Sequence, residues 1–374
     1  MVSVSDIMGL MEKIAPVSLA EKWDNPGLQI GKKDWPVKNI GVALDPVEDV
    51  ILSACENKVD LLITHHPLFF QPIRSLDFST PVGRIIHKAV THQLAVFSAH
   101  TNLDSAKNGL NDLFCHRVGL TNIRSLVPMQ PRQDQFKLVV YAPVLHEQKI
   151  LDALFDTPAG RIGEYTCCSF RNRGIGTFLP SDKASPFSGR IRELSHEDEI
   201  RIEVVVEKKD VQTTVNTLRA AHPYETMACD IYPLFSTDIP HAPGLGRVGE
   251  LENETNLYDL GLHVKTALGI KHLRMVGPPE TRVQRVAVCT GSGGSLIRDA
   301  RNTGAQVYIT GDIRYHDAQD AKALGLALID AGHFESEIPV VDLLTKQLDR
   351  MTREQGFDVT VTPCRVEKTP FVEI

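Results

Sequence analysis

VDLLITHHP (59–67) is an apolar run of strand length that ends on two histidines and a proline. A nearly continuous apolar run of this length reads as a strand buried on both faces. On its N-terminal side DPVEDVILSACEN has helical spacing, and NIGVALD (39–45) before it is another short apolar run. On its C-terminal side HKAVTHQ reads as the end of a helix, LAVFSAHTNLD (94–104) as a third strand, and NGLNDLFCHRVGL as a further helix. Strands separated by helices imply a mostly parallel sheet covered on both faces.

The last 130 or so residues repeat that plan. QRVAVCTG (284–291), AQVYITGD (305–312) and LALIDAGH (326–333) read as strands. A GSGG turn opens a helix from Ser295 to Asn302, and YHDAQDAKALG is a second helix. EIPVVDLLTKQLDRMTREQ is a long one whose Pro339 is tolerable only in its first turn, and FDVTVTP closes as a strand. VDLLITHH aligns with AQVYITGD, and LAVFSAHTNLD with LALIDAGHFESE. The second pairing sets His100-x-x-x-Asp104 against His333-x-x-x-Glu337, which points to an internal duplication.

Two joints interrupt this pattern, the Pro- and Gln-rich LVPMQPRQDQ (126–135) and the Pro- and Gly-rich FSTDIPHAPGLGRVG (235–249). Between them the order is strand (FKLVVYAP), helix (HEQKILDALFD), two strands (YTCCSFRNRG and IGTFLP), strand (EIRIEVVVEKK), helix (DVQTTVNTLRAAHP) and strand (MACDIYPL). That is close to β-α-β-β-α-β with an extra strand, a ferredoxin-like α+β domain inserted into a surface connection. The expected fold is therefore α/β. Two related halves with a mostly parallel sheet, residues 1–125 and 241–374, flank an inserted ferredoxin-like domain at 126–240.

Composition sets the bounds. A chain of 374 residues fits two or three domains, and 42% hydrophobic residues suffice for a sizeable core. With 40 Lys and Arg against 47 Asp and Glu, the formal charge of -7 argues against general binding of nucleic acid or an anionic membrane. No uninterrupted apolar stretch is long enough to span a bilayer. MVSVSDIMGLMEKIAPVS reads as an amphipathic helix and not a signal peptide, so the expected address is the cytoplasm. Cysteines 55, 115, 167, 168, 229, 289 and 364 form no C-x-x-C and are odd in number, which fits free thiols in a reducing compartment. Cys167-Cys168 reads as part of a strand, one thiol on each face.

Ligands in open α/β sheets collect at the carboxyl ends of the strands. His65, His66, Asp104, Asp312 and His333 all fall at that edge of an otherwise apolar sheet. Two adjacent histidines on an extended strand point to opposite faces, so each reaches a different ion, or both turn inward where the strand ends. Imidazole and carboxylate together suit zinc first, with manganese or iron as alternatives. His65, His66, Asp104, His333 and Glu337 carry two negative charges against the four positive charges of two divalent ions. The surplus favours a bridging hydroxide, a water or an anionic substrate. Glu337, the longer carboxylate and four residues after His333, is the natural bridge. His100 is a further candidate ligand through its correspondence with His333, although Asp104 alone would serve that half. The turn T-G-S-G-G-S (290–295) has two readings, an anion-binding helix N-terminus or a tight strand-to-helix turn. No Ser-His-Asp or Cys-His catalytic set can be assembled, and no catalytic residue is assigned.

ITHHP (63–67), AHTNLD (99–104), CTGSGGS (289–295), TGDIRYHDAQDA (310–321) and DAGHFESE (330–337) together resemble the Nif-three-like family, whose members are often labelled GTP cyclohydrolase 1 type 2 homologs. The resemblance spans the whole chain, and residues 136–234 are similar to the PII-like or CutA-like domain inserted in longer members. It implies that His65 and Asp104 bind one ion, His66 and His333 the other, and that Glu337 bridges both. It also implies a ring-shaped homo-oligomer, commonly a hexamer. The resulting expectation is a dinuclear metal-dependent hydrolase acting on a nucleotide or other phosphorylated small molecule. The alternative is a non-catalytic metal-binding or regulatory scaffold.

Overall fold

In a computed structural model, residues 1–129, 135–234 and 242–372 are described. In chain order, α1 (Val4–Ile14) precedes β1 (Gly27–Ile30), β2 (Asn39–Ala43), α2 (Glu48–Glu56), β3 (Leu61–Thr64), α3 (Pro81–Thr91) and β4 (Ala95–Ser98). A short helix α4 (Thr101–Ser105), α5 (Leu110–Val118) and β5 (Leu120–Pro128) follow. Next come β6 (Gln135–Pro143), α6 (Glu147–Phe155), β7 (Phe170–Phe178), β8 (Ser195–Glu207), α7 (Val211–Ala221) and β9 (Cys229–Pro233). The last part holds β10 (Gly244–Asn256), α8 (Leu257–Leu268), β11 (Arg274–Val276), β12 (Arg282–Ser292), α9 (Ile297–Asn302), β13 (Val307–Gly311), α10 (Tyr315–Ala323) and β14 (Ala327–Asp330). A second short helix α11 (His333–Glu337), α12 (Val340–Glu354) and β15 (Thr360–Pro363) end it. The chain divides into two compact units, a core of Met1–Met129 with Pro240–Ile374, and an inserted unit, Gln130–Ile239. The expected joints lie partly outside the described residues.

The core contains two sheets. One has the order β1-β4-β3-β2-β15, with β4, β3, β2 and β15 parallel and β1 antiparallel on the edge. The other runs β11-β14-β13-β12-β10-β5 and is parallel only across β14, β13 and β12. Every residue of β3, β4, β13 and β14 is buried, as their apolar runs require. In each sheet three parallel strands run in the same order, and an antiparallel strand flanks the third, β1 beside β4 and β11 beside β14. The repeated plan is thus present in space.

Three expectations about the core change. The second sheet is mixed, since β10, β11 and β5 all pair antiparallel. The sequence halves also do not keep to their own sheets. FDVTVTP supplies β15 to the first sheet, and β5, from the first 128 residues, edges the second. Helices cross in the same way: Val340, Val341, Leu344 and Leu348 of α12 bury against Ile40, Val42, Leu61, Ile63 and Phe97, while Phe114, Cys115 and Val118 of α5 bury against the second sheet. Each such aliphatic side chain contributes about 1.5–3 kcal/mol by leaving water, before ordering costs. Finally, LAVFSAHTNLD stops being a strand at Ser98 and LALIDAGH at Asp330. His100 caps α4 and His333 begins α11, because each chain turns sharply off the sheet edge there.

In the inserted unit the sheet order is β7-β8-β6-β9, every pairing antiparallel. With its two crossover helices this is a β-α-β-β-α-β ferredoxin-like arrangement. Leu138, Val140, Ala142, Ile200, Ile202 and Val204 form one apolar face and bury Ile150, Leu151, Leu154 and Leu218 of α6 and α7. Among the described residues the expected extra strand is absent: YTCCSFRNRG and IGTFLP contribute to one strand, β7. Cys167 and Cys168 precede it, and the left-handed φ of 57° at Cys167 takes the pair off any extended strand. Among the described residues no helix is long and apolar enough to cross a membrane.

Candidate metal centre

The parallel ladder carries His65 and His66 just past β3, their amides donating to the carbonyls of Ala43 and Leu44. The two rings then diverge. His65 is fully buried, and its Nδ1 donates to the Ala99 carbonyl at 2.8 Å. Its Nε2 faces Asp104 Oδ1 at 3.7 Å and Glu337 Oε1 at 3.8 Å. His66 donates from Nδ1 to Asp45 Oδ1 at 2.7 Å and points Nε2 at Glu337 Oε2, 2.9 Å away. His333 donates from Nδ1 to Asp312 Oδ2 at 2.6 Å, with Nε2 3.0 Å from the same Glu337 Oε2. All five expected ligands therefore meet around one carboxylate. Oε1 of Glu337 lies on the His65 and Asp104 side, and Oε2 on the His66 and His333 side. His100 joins the first group, its ring centroid 5.2 Å from that of His65 and its Nδ1 2.9 Å from Asp24 Oδ1.

Each imidazole has its Nδ1 proton committed to an oxygen, so each presents Nε2 as the free atom. Metal-binding histidines are oriented in this way. His65 Nε2 and Asp104 Oδ1 are buried without a hydrogen-bond partner, and Glu337 Oε2 meets its two imidazoles without hydrogen-bond geometry. An unsatisfied buried polar atom costs about 1–3 kcal/mol. His66 Nε2 and His333 Nε2 also sit only 3.4 Å apart, aimed at one point. A cation among these atoms removes all of these costs together, so the residues present fit a metal.

The electrostatics agree. Burial opposes charge on His66, but Asp45 and Glu337 outweigh it and raise its pKa to about 10. The neighbouring Glu337 carboxylate, against burial, raises His333 to about 9. Burial pushes Asp104 up, whereas at Glu337 three imidazoles overcome burial and hold the carboxyl well below its usual range. The pocket thus favours positive charge among its carboxylates.

Backbone makes room for this convergence. Gly291 has a φ of 69°, and a Cβ there would sit 2.0 Å from Glu337 Oε1. At Gly311 a Cβ would meet Gly332 C and His333 N at 2.7 Å. Asp312 itself holds a left-handed φ of 54°, a strained setting for a non-glycine residue. Three amides of the glycine turn are already used. Thr290 N donates to Asn111 Oδ1, Gly291 N to Ser336 Oγ and Gly293 N to Thr310 Oγ1, each at 3.0 Å. The turn makes a tight strand-to-helix connection from β12 to α9.

Residues outside the expected set complete the surroundings. Asp45, behind His66, lies two residues past β2, and the rule that sites collect at strand carboxyl ends applied to it as much as to His65. Asp24 holds His100 and accepts from Thr101 N at 3.0 Å, from a loop with no sequence signal. Glu367 accepts from the amides of Leu44 and Asp45 at 2.9 and 2.7 Å, bracing the turn that carries Asp45. Trp23 and Phe70 are exposed and stand edge-on to His100, with centroids 5.9 and 5.7 Å away.

The chain belongs to the Duf34/NIF3 (NGG1p interacting factor 3) family, whose model matches residues 2–370. It is similar to proteins named GTP cyclohydrolase 1 type 2 homolog. One from Bacillus subtilis is 40% identical over 99% of this chain and 98% of its own length, and one from Halalkalibacterium halodurans is 36% identical over 98% of each. Among solved structures, a Bacillus cereus protein related to NIF3 is 35% identical with a TM-score of 0.72, covering 100% of this chain and 99% of that one. A Staphylococcus aureus protein is 29% identical at the same coverage, with a TM-score of 0.83.

Proposed function

We propose that the core unit holds two divalent ions and uses them for hydrolysis of a nucleotide or other phosphorylated small molecule. His65 and Asp104 hold one ion, His66 and His333 the other, and Glu337 lies between them. The observation that carries this reading is the set of buried, unsatisfied atoms converging on Glu337. Zinc suits the imidazole-rich donors best; manganese and iron fit them as well. When bound, such a pair supplies Lewis acidity and activates water at neutral pH. The chain's own groups do the rest. Asp45, Asp312 and the Ala99 carbonyl fix the three rings, and the glycine turn holds Glu337 in reach. His100, fixed through Nδ1 by Asp24, stands beside the cluster. Trp23 and Phe70 offer aromatic surface for a planar base at that edge.

The substrate class rests on the charge surplus of the metal set and on the names of the relatives. Self-assembly into a hexameric ring in the cytoplasm is part of the same reading. The test is elemental analysis of the purified protein, followed by turnover of GTP and other nucleotides with zinc, manganese or iron. Two ions per chain with hydrolysis is expected; two ions with no turnover under any metal overturns the enzymatic half. A metal-holding scaffold is then the reading that stands, favoured by an inserted unit that carries none of the candidate ligands.

A further inference from the structure

The inserted unit has a feature unrelated to the metal cluster. Its sheet is covered by helices on one face only. On the other, Tyr141 of β6, Glu199 and Arg201 of β8, and Asn172 and Gly174 of β7 share a side, as the cross-strand register Tyr141–Arg201, Asn172–Arg201 and Gly174–Glu199 requires. The segment after β7 and the turn after α7 fold over this face and line a half-open cavity of about 730 Å³. That is the size of a small-molecule site, not of a packing defect.

The walls are specific. Phe187 and Tyr224 lie with centroids 6.0 Å apart, and Phe178 stands 6.5 Å from Tyr224. The polar groups are mainly acceptors. Glu199 takes the Tyr224 hydroxyl at 2.9 Å and Glu225 takes the Ser185 amide at 3.0 Å, each carboxylate having capacity left for further donors. Arg201, the cation among the lining residues, is ion-paired with Glu203 at 2.6 Å. Ser188 Oγ and Arg201 Nε are buried without hydrogen-bond partners. The floor is low because β7 is glycine-bearing: a Cβ on Gly174 would meet nothing within 4 Å, so that position opens into the cavity.

We infer that the inserted unit binds a planar, amino-substituted heteroaromatic molecule, neutral or cationic, in this cavity. The ring lies among Phe178, Phe187 and Tyr224, and its N–H groups donate to Glu199 and Glu225. An anionic ring is disfavoured, because the carboxylates repel it and the arginine is already paired.

The full-length chain tests this with proflavine, a planar amino-heteroaromatic cation, followed by fluorescence, and with anilinonaphthalene sulfonate as an anionic ring of similar size. Proflavine is expected to bind once per chain, and roughly tenfold or more tighter than the sulfonate. Gly174→Leu fills the cavity from a backbone setting that accepts a side chain, and should weaken proflavine roughly tenfold or more with metal content unchanged. Glu199→Gln should weaken it by a smaller factor, and decides the matter if the leucine variant fails to fold. Unchanged proflavine binding in the variants overturns the inference, as does equal binding of the sulfonate. A Gly174→Leu chain that changes oligomeric state also overturns it, by assigning the face to a second copy.

Discussion

The first parallel triad, β2-β3-β4, and the second, β12-β13-β14, share one plan but contribute opposite things to the cluster. Past β3 the first presents two imidazoles, His65 and His66; at the end of β13 the second has Gly311 and, just past it, Asp312. Gly311 gives the chain of His333 space to pass, and Asp312 supports the His333 ring from behind. Each triad then ends in a five-residue helix bearing an acid, Asp104 in α4 and Glu337 in α11. Asp104 comes near His65 at 3.7 Å, whereas Glu337, one methylene longer, meets His65, His66 and His333. The difference teaches that one strand plan can carry unlike side chains at matching edges. The first triad supplies two of the three imidazoles, the second supplies the third together with the shared carboxylate, and neither is complete alone.

Glu337→Gln should have the largest effect. Losing the shared carboxylate is expected to empty both subsites, with affinity falling by more than about 100-fold, beyond the usual cost of losing a supporting group. Elemental analysis after dialysis reads this, and an ion retained on His65 and Asp104 would break the claim that the halves depend on one another. Next comes Gly291→Ala, which combines left-handed strain with a collision at Glu337. A loss of about 1–3 kcal/mol in denaturant unfolding is expected, together with weakened metal binding. Gly119→Ala is the control, since it has a φ of 78° and open space around it, so it should lose stability without losing metal.

Asp45→Asn and Asp312→Asn sharpen the comparison, because they remove the carboxylates behind His66 and His333. Each should cost roughly 10–100-fold in affinity for the ion those two rings share, and leave the ion on His65 and Asp104 in place, as competition with a chelator would show. The smallest effect belongs to His100→Asn. With Asp104 serving that half, both ions should remain, with affinity changed by less than about tenfold. Loss of one ion would make His100 a ligand and bring the two triads closer to symmetry.

The strands and long helices were legible because apolar runs and helical spacing are local. VDLLITHH and AQVYITGD announced both their burial and their matching places in the two sheets. Strand pairing was not legible: nothing in LTNIRSLVP or FDVTVTP says which open edge each will meet, so the exchange of β5 and β15 between sheets went unread. The helices α4 and α11 are too short to show a period: α4 reads as a prolonged strand, and α11 is split between the end of a strand at His333 and the start of the long helix at Glu337. The five candidate ligands were legible as chemistry at strand ends, and the structure brings them together. Their supports were harder, since Asp24 is 76 residues from His100 and gains meaning only through folding.

The exchange of strands has a consequence for the order in which the chain is made. β2 pairs on one side with β3, near in sequence, and on the other with β15, while Glu367 reaches Leu44 across 323 positions. Such distant pairings carry the loop-closure cost that slows folding. A chain emerging from the ribosome holds His65 and His66 early, with one edge of β2 open and the turn at Asp45 unbraced. Glu337 and its partner histidine come much later. The cluster around His65 and His66 therefore stays incomplete during most of synthesis and is fully braced only when the last strand docks, which would tie any metal capture to completed folding.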